Sequence, residues 1–260
     1  NGDSDITDIL SAATPGAITI ASGYEFLVQT GSTFRPGGTT IFHDLDVNGI
    51  FDFQDNSVGI TGTWDSFEGT ASGNDVVSFT STAAEFIITS NFAFNNLVFN
   101  GTAGSWTLLD ATDVNGSLTI SDGTLIQGIV PLNVSGSVTI ASAGAFTKSS
   151  NASRLLLDGD LRFTDNSGNN LGNVQVGASP DTTILTTSMT VDTLVIGTGD
   201  TLILSGNTLN IGTGGLTAYG ELDATDTGSN NSQISVSGAW IASDFDGAFA
   251  QFLKISATEV

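Results

Sequence analysis

The residues best equipped for chemistry lie in one run, Asp44-Leu45-Asp46-Val47-Asn48-Gly49-Ile50-Phe51-Asp52-Phe53-Gln54-Asp55. Oxygen-bearing side chains fall at its positions 1, 3, 5, 9 and 12, with glycine at 6 and an apolar residue at 8, the spacing of an EF-hand-like calcium loop. Calcium collects about six to eight oxygens, so Asp44, Asp46, Asn48, Asp52 and Asp55 form the candidate metal set and calcium the candidate cofactor. Position 12 is Asp where such loops place a bidentate Glu, and no amphipathic helix flanks the run. The same residues also read as a strand in which Leu45 and Val47 turn inward while Asp44, Asp46 and Asn48 face water.

Other charged groups offer less. Asp110-Ala111-Thr112-Asp113 and Asp223-Ala224-Thr225-Asp226 are identical tetrads, and Asp244-Phe245-Asp246-Gly247 is a third acidic corner. Paired carboxylates can hold a cation or act as acid and base, and more simply they bond their own backbone in turns. Arg154, Asp158, Asp160 and Arg162 form the one mixed-charge cluster. If 155–157 and 161–163 are neighbouring strands, these charges meet on one outer face, as in β-helical enzymes acting on acidic polysaccharides. The plainer reading is a set of weak surface ion pairs.

The rest of the inventory mostly excludes. His43 is the only histidine and there is no cysteine, which removes a His-based metal cage, a two-histidine mechanism, a thiolate site and any disulfide. No serine sits in a G-x-S-x-G elbow, and the glycine-rich stretches IGTGGLTAYG and IGTGDTLILSG lack the following helix and lysine of a phosphate loop. No catalytic residue is assigned. Trp64, Trp106 and Trp240 can stack on sugars if exposed; Trp106 and Trp240 occupy slots that read as core, while Trp64 is the least constrained. The five N-x-[ST] sequons, at Asn100, Asn115, Asn133, Asn151 and Asn230, match what so Asn-, Ser- and Thr-rich a chain produces by chance.

What must position these groups is a repeated phrase. Val114-Asn115-Gly116-Ser117-Leu118-Thr119-Ile120 returns as Val134-Ser135-Gly136-Ser137-Val138-Thr139-Ile140, 20 residues later. A glycine bend followed by alternating apolar residues describes a corner leading into a strand with one buried face. Further copies lie around Gly49, Gly159 and Gly238, and a weaker one around Gly220. The marker glycines are separated by 67, 20, 23, 61 and 18 residues, and each long gap divides into three intervals like the short ones. A fixed period in the twenties is the mark of a solenoid whose repeats bury their apolar sides only by stacking.

The chain therefore reads as all-β, a parallel β-helix (β-solenoid) of about ten coils of roughly 20–23 residues, right-handed by the general rule for parallel crossovers. Stacked at about 4.8 Å, such coils make a rod on the order of 50 Å long. Tandem β-sandwiches are the alternative, since they too give short strands at regular spacing, and the irregular segment 54–85 favours them. Residues 1–16 read as an N-terminal cap, 17–245 as the solenoid and 246–260 as a C-terminal cap or final strand.

Composition agrees. Among 260 residues there are 32 glycines and four prolines, which suits strands joined by tight turns. Five basic residues against 27 acidic ones leave a formal net charge of −22, which repels phosphate backbones and anionic lipid. Nucleic acid is thus a poor partner, and no apolar run is long enough for a membrane helix, so membrane insertion is not expected. The start, Asn1-Gly2-Asp3, has the look of a processed N-terminus.

Residues Phe94-Asn95-Asn96-Leu97-Val98-Phe99-Asn100-Gly101, then Gly104-Ser105-Trp106-Thr107-Leu108 and VNGSLTISDGTL, resemble a recurrent segment of secreted bacterial and archaeal β-strand-repeat surface proteins. These include haemagglutinin-like and autotransporter adhesins and stalks. The resemblance covers about residues 94 to 163 and rests on core positions and turn glycines. It implies a β-helix at the cell surface or outside the cell, serving as stalk, sheath, filament subunit or adhesive surface.

The expectation is thus a non-enzymatic extracellular structural or adhesive solenoid that self-associates and meets surface glycans. The alternative is a carbohydrate-active β-helix, a polysaccharide lyase or hydrolase, or a glycan-binding module. An ice-binding solenoid would need stacked Thr-x-Thr steps, and Thr119 and Thr139 recur without a second threonine beside them.

Overall fold

Alternating apolar and polar residues in runs of three to five, closed by glycine or an Asx turn, leave the backbone no route except short strands turning corners. The computed structural model describes residues 18–67, 69–73, 76–90, 92–148, 153–178, 180–225, 231–242 and 253–255. Within them the chain is all-β, without a helix, and its parallel strands stack into a solenoid of about ten turns. Tandem β-sandwiches are ruled out, because sandwich strands pair antiparallel whereas strands one coil apart here pair in parallel from Glu25–Val28 on Asp44–Val47 to Glu221–Ala224 on Leu253–Ile255. The segment 54–85 that favoured them forms ordinary rungs, Val58–Ile60, Trp64–Asp65, Thr70–Ser72 and Val76–Phe79.

Each coil has three faces. Face one begins with Glu25–Val28, Asp44–Val47, Trp64–Asp65 and Ala84–Ile88 and continues through 105–107, 124–126 and 145–147. Face two runs from Thr33–Phe34, Ile50–Asp52 and Thr70–Ser72 to Ala93–Phe94, Thr112–Val114, Leu132–Val134, Leu155–Leu157 and Asn173–Val176. Face three carries Thr40–Phe42, Val58–Ile60 and Val76–Phe79, then 97–99, 118–120 and 138–140, then Leu161–Asp165, Thr182–Leu185, Thr201–Ile203 and Glu221–Ala224.

Between about residues 148 and 172 the build changes. Before it, Asn96–Leu108, Leu118–Ile126 and Val138–Thr147 run unbroken from face three into face one of the next coil. After it, Met189–Ile196 and Thr208–Ala218 run unbroken from face one into face two. The corner at which strands stay continuous has moved by one face.

The phrase glycines work as corners. A Cβ on Gly136 would lie 2.4 Å from the carbonyl oxygen of Gly116, and one on Gly159 2.1 Å from that of Ser135, so only glycine lets successive corners nest. One spacing is corrected. Gly116, Gly136, Gly159 and Gly220 lie between faces two and three, but Gly49 and Gly238 lie between faces one and two. The 18-residue interval from Gly220 to Gly238 is therefore less than a full coil, and Gly238 packs on Thr213 and Gly215. The phrase marks a kind of corner, not a fixed phase.

Core composition changes earlier, after Trp106, where 112–140 already bury aliphatic side chains such as Val114, Leu118 and Ile140. Phe26, Phe34, Phe42, Phe51, Phe53, Trp64, Phe79, Phe92, Phe94, Phe99 and Trp106 fill the first coils, in ring contacts such as Phe26 on Phe42 at 4.6 Å and Phe79 on Phe99 at 5.3 Å. Beyond Phe163 the buried apolar side chains of the described residues carry no ring, Leu171, Val174, Met189, Leu194 and Leu209 among them. Trp64, the least constrained tryptophan in sequence, is fully buried with its Nε1 donating to Ser66 at 3.0 Å. Trp240 corrects the opposite expectation: it is 44% exposed, lying on Leu216 in the last described rung of its face.

The proposed cap at 1–16 lies outside the described residues. Of the tail 246–260, Leu253–Ile255 is described as a strand pairing with 222–224.

Candidate functional site

The five candidate calcium ligands are distributed along the coil. Inward Leu45 and Val47 turn Asp44 and Asp46 outward from face one. Phe51, equally buried, turns Asp52 outward from face two, while Asp55 occupies the following turn with φ 59°. Asp44 Oδ1 accepts the Thr63 amide at 2.8 Å, and Asn48 Nδ2 donates to Asp46 Oδ2 at 3.2 Å. Asp52 Oδ2 accepts Arg35 Nε at 2.8 Å and Gln54 Nε2 at 3.0 Å. Neighbours along the strand meet, as Asp46 and Asn48 do, but the loop does not wrap around a centre. Among the described residues no group of three or more His, Asp or Glu side chains lies close enough to hold a metal ion.

The mixed-charge cluster is also divided. Leu155–Leu157 and Leu161–Asp165 are successive strands on faces two and three of one coil, so Arg154 and Arg162 point from different faces. Arg154 donates to Gln175 on the next coil. Asp158 Oδ1 accepts the Ala178 amide at 3.2 Å and Asp160 Oδ1 the Thr182 amide at 2.8 Å. The tetrads part company as well. Asp110 accepts the Thr89 amide at 2.8 Å and the Ser90 amide, whereas Asp223 Oδ1 accepts the Thr225 amide at 2.8 Å, and Asp226 and 244–247 lie outside the described residues.

A regularity emerges that the sequence reading missed. Corner carboxylates and amides bond a group one coil away: Asp44 with Thr63, Asn96 with Ser117, Asp110 with Thr89, Asp122 with Thr102, Asp158 with Ala178, Asp192 with Asn170 and Asp200 with Asp181. The partners are 19 to 22 residues apart, the length of a coil. Each clip satisfies a corner amide or hydroxyl that the strand ladders leave without a partner. The signal was present as Asp or Asn recurring at corners, but it shows only when two coils are read together.

Two ionisable groups stand out electrostatically. Asp200, 1% exposed, has its carboxyl pushed above the usual range by burial and by the Asp181 and Asp158 carboxylates, against the Asp181 amide that favours the charged form. Lys148 lies where the face-one ladder is interrupted, its Nζ donating to the Ser153 carbonyl at 2.5 Å and the Asn173 carbonyl at 2.9 Å. Burial lowers its pKa to about 8, opposed by Asp192 and assisted by Arg154.

Thr119, Thr139 and Thr164 are in register on face three, and Thr164 Oγ1 lies 2.6 Å from Thr186 Oγ1. The threonine column is longer than the sequence indicated. Ser117 and Ser137 flank its first two members, and Arg162 and Ile184 flank the next two, so no stacked Thr-x-Thr array forms.

Compared with known proteins, the chain matches no family model, no curated protein and no solved structure.

Proposed function

We propose that this protein is a non-enzymatic structural solenoid, exported to the cell surface and acting as a self-associating subunit of a stalk, sheath or filament. The observation that carries this reading is the use made of its acids. Residues that could have formed a cation or acid–base site instead bond one coil to the next, and so contribute to a continuous rod. A rod whose coils touch only their neighbours suits a spacer or building block, because length is gained without a new core. The resemblance of residues 94–163 to β-strand-repeat surface proteins supports the location, and the acidic surface keeps a repetitive sheet protein from adventitious edge pairing.

The test is electron microscopy of the purified protein over rising concentration, with turnover of a panel of acidic and neutral polysaccharides measured alongside. Rods that associate, without turnover, are expected. A strict monomer at high concentration, or depolymerisation of any polysaccharide, overturns the reading.

A further inference from the structure

The corner between faces two and three departs from its own rule in two successive coils. By register, the place held by Gly159 before Leu161–Asp165 and by Gly220 before Glu221–Ala224 is taken by Asp181 before Thr182–Leu185 and by Asp200 before Thr201–Ile203. Room for Asp200 is made by other glycines. Its carboxyl fills the space left by the missing side chains of Gly177, at φ 80°, and Gly197, and a Cβ on either would collide with it. The residue is closed off from water, at 1% exposure, and its Oδ1 accepts the Asp181 amide at 3.0 Å. That is the one hydrogen bond its side chain makes among the described residues. The surroundings are acidic. Asp181 comes from the coil before and Asp158 from the coil before that, with its own Oδ1 on the Ala178 amide at 3.2 Å. Asp160 is turned to the Thr182 amide at 2.8 Å. From the coil after, the Glu221 amide donates to the Asp200 carbonyl oxygen at 2.7 Å, beside exposed Tyr219. Arg162, the one base on the face-three strands 161–165, 182–185, 201–203 and 221–224, points outward beside Ile184.

We infer that this corner is a pH-responsive latch: proton uptake by Asp200 tightens its coil on the coil before, and proton loss loosens it. A carboxylate shut in with one donor and two like charges is costly, whereas a neutral carboxyl in the same notch is not. Burial and the Asp181 and Asp158 carboxylates outweigh the Asp181 amide and hold the carboxyl above its ordinary 3.8. Above 3.8 the folded chain therefore keeps a proton that the unfolded chain has released. The stability this group contributes is fully present below 3.8 and is lost as pH climbs through the folded value. The coils after residue 172 thus close more firmly in acid. The latch works within a single rod, so it holds whether or not rods associate.

The test compares the intact protein with Asp200→Asn, which keeps the shape and the acceptor for the Asp181 amide while removing the titration. From about pH 7.5 down to about pH 4.5, the melting temperature of the native protein relative to the variant should rise by at least about 2 °C, because the other acids act on both proteins alike. Over the same interval, protection of the Asp181 amide from hydrogen exchange, corrected for the intrinsic rate, should rise several-fold in the native protein and not in the variant. Carbon-13 titration of the Asp200 carboxyl in the native protein needs no variant to fold, and its midpoint should lie above 3.8. A midpoint at or below 3.8 overturns the inference. So does a relative melting temperature that is flat or falls toward acid, or an Asp181 amide whose protection does not rise.

Discussion

The coils before residue 148 and those after residue 172 solve the same stacking problem with different materials. The first set buries phenylalanine and tryptophan in a connected array as far as Trp106, passes to aliphatic side chains over 112–140, and from Asn96 onward keeps its strands continuous from face three into face one. The second buries leucine, valine and isoleucine and keeps its strands continuous from face one into face two. What they share is the corner: nested glycines and acids that bond into the next coil occur in both. The comparison teaches that the solenoid is specified at its corners, while the interior tolerates any apolar filling of suitable volume.

The largest effect should come from the interior. Trp64→Ala in the aromatic set and Leu194→Ala in the aliphatic set should cost about 4 and about 3 kcal/mol respectively. In a structure stabilised by nearest-neighbour coils, each loss should be felt mostly within its own set. With Trp240→Phe as the common background, Trp64 and Trp106, both buried in the first coils, report that set by fluorescence, whereas far-UV circular dichroism reports both. Urea transitions for Leu194→Ala should therefore separate, dichroism falling before fluorescence. Coincident transitions would show that the two sets unfold as one unit and would dissolve the comparison.

Corner substitutions should come next and should not distinguish the sets. Gly136→Ala and Gly220→Ala each drive a Cβ to within 2.4 Å of a carbonyl oxygen in the preceding coil, and each should cost about 1–3 kcal/mol. Gly38→Ala, which meets nothing within 4 Å, should be neutral or stabilising by up to about 1 kcal/mol. Unequal losses at Gly136 and Gly220 in denaturant melts would mean that the corner is not the common element.

Much of this was legible in sequence. The repeat around Gly116 and Gly136 reports coil length because both corners are of the same kind and no insertion separates them. The phrase around Gly238 misled, since a glycine before an alternating strand suits any corner and carries no record of which one. Trp240 misled for a related reason: its slot in the phrase is a core slot only where a further coil covers it. The acids were the least legible. Asp44 to Asp55 fit a calcium spacing along the chain, yet the partners that engage them, Thr63 and Arg35, lie about one coil away and are invisible to a linear motif.

The junction should give a smaller effect that depends on pH. Lys148 bridges Ser153 and Asn173 where the ladder of face one is interrupted, and its pKa is lowered to about 8 from 10.5 by burial. Between those values the unfolded chain holds the proton that the folded one has released, so stability from this group rises with pH across the window. The amine remains a donor when neutral. Lys148→Met removes both the titration and the hydrogen bonds. The melting temperature of the native protein, relative to this variant, should therefore climb by about one to a few degrees from pH 7.5 to 10. A flat or falling difference would mean that Lys148 is not buried at the junction, and the two sets would meet without a staple.

The smallest effect should be that of calcium, although the acids of coils one to three are the densest on face one. A loop binding calcium at micromolar strength would gain about 4 kcal/mol at a thousandfold excess of metal, a shift of roughly 8–16 °C in a protein of this size. Here Asp44 is held by the Thr63 amide and Asp52 by Arg35 on another face, so convergence would require breaking clips that join coils. Millimolar calcium should accordingly raise the melting temperature by less than about 1 °C, the modest return from screening Glu25, Asp44, Asp46 and Asp65 against one another. Magnesium should do the same, because screening is indifferent to coordination geometry. A shift of several degrees specific to calcium and lost in Asp46→Ala would show that the aromatic coils trade stacking for metal binding, and the comparison would become one between a metal-dependent set and a metal-free one.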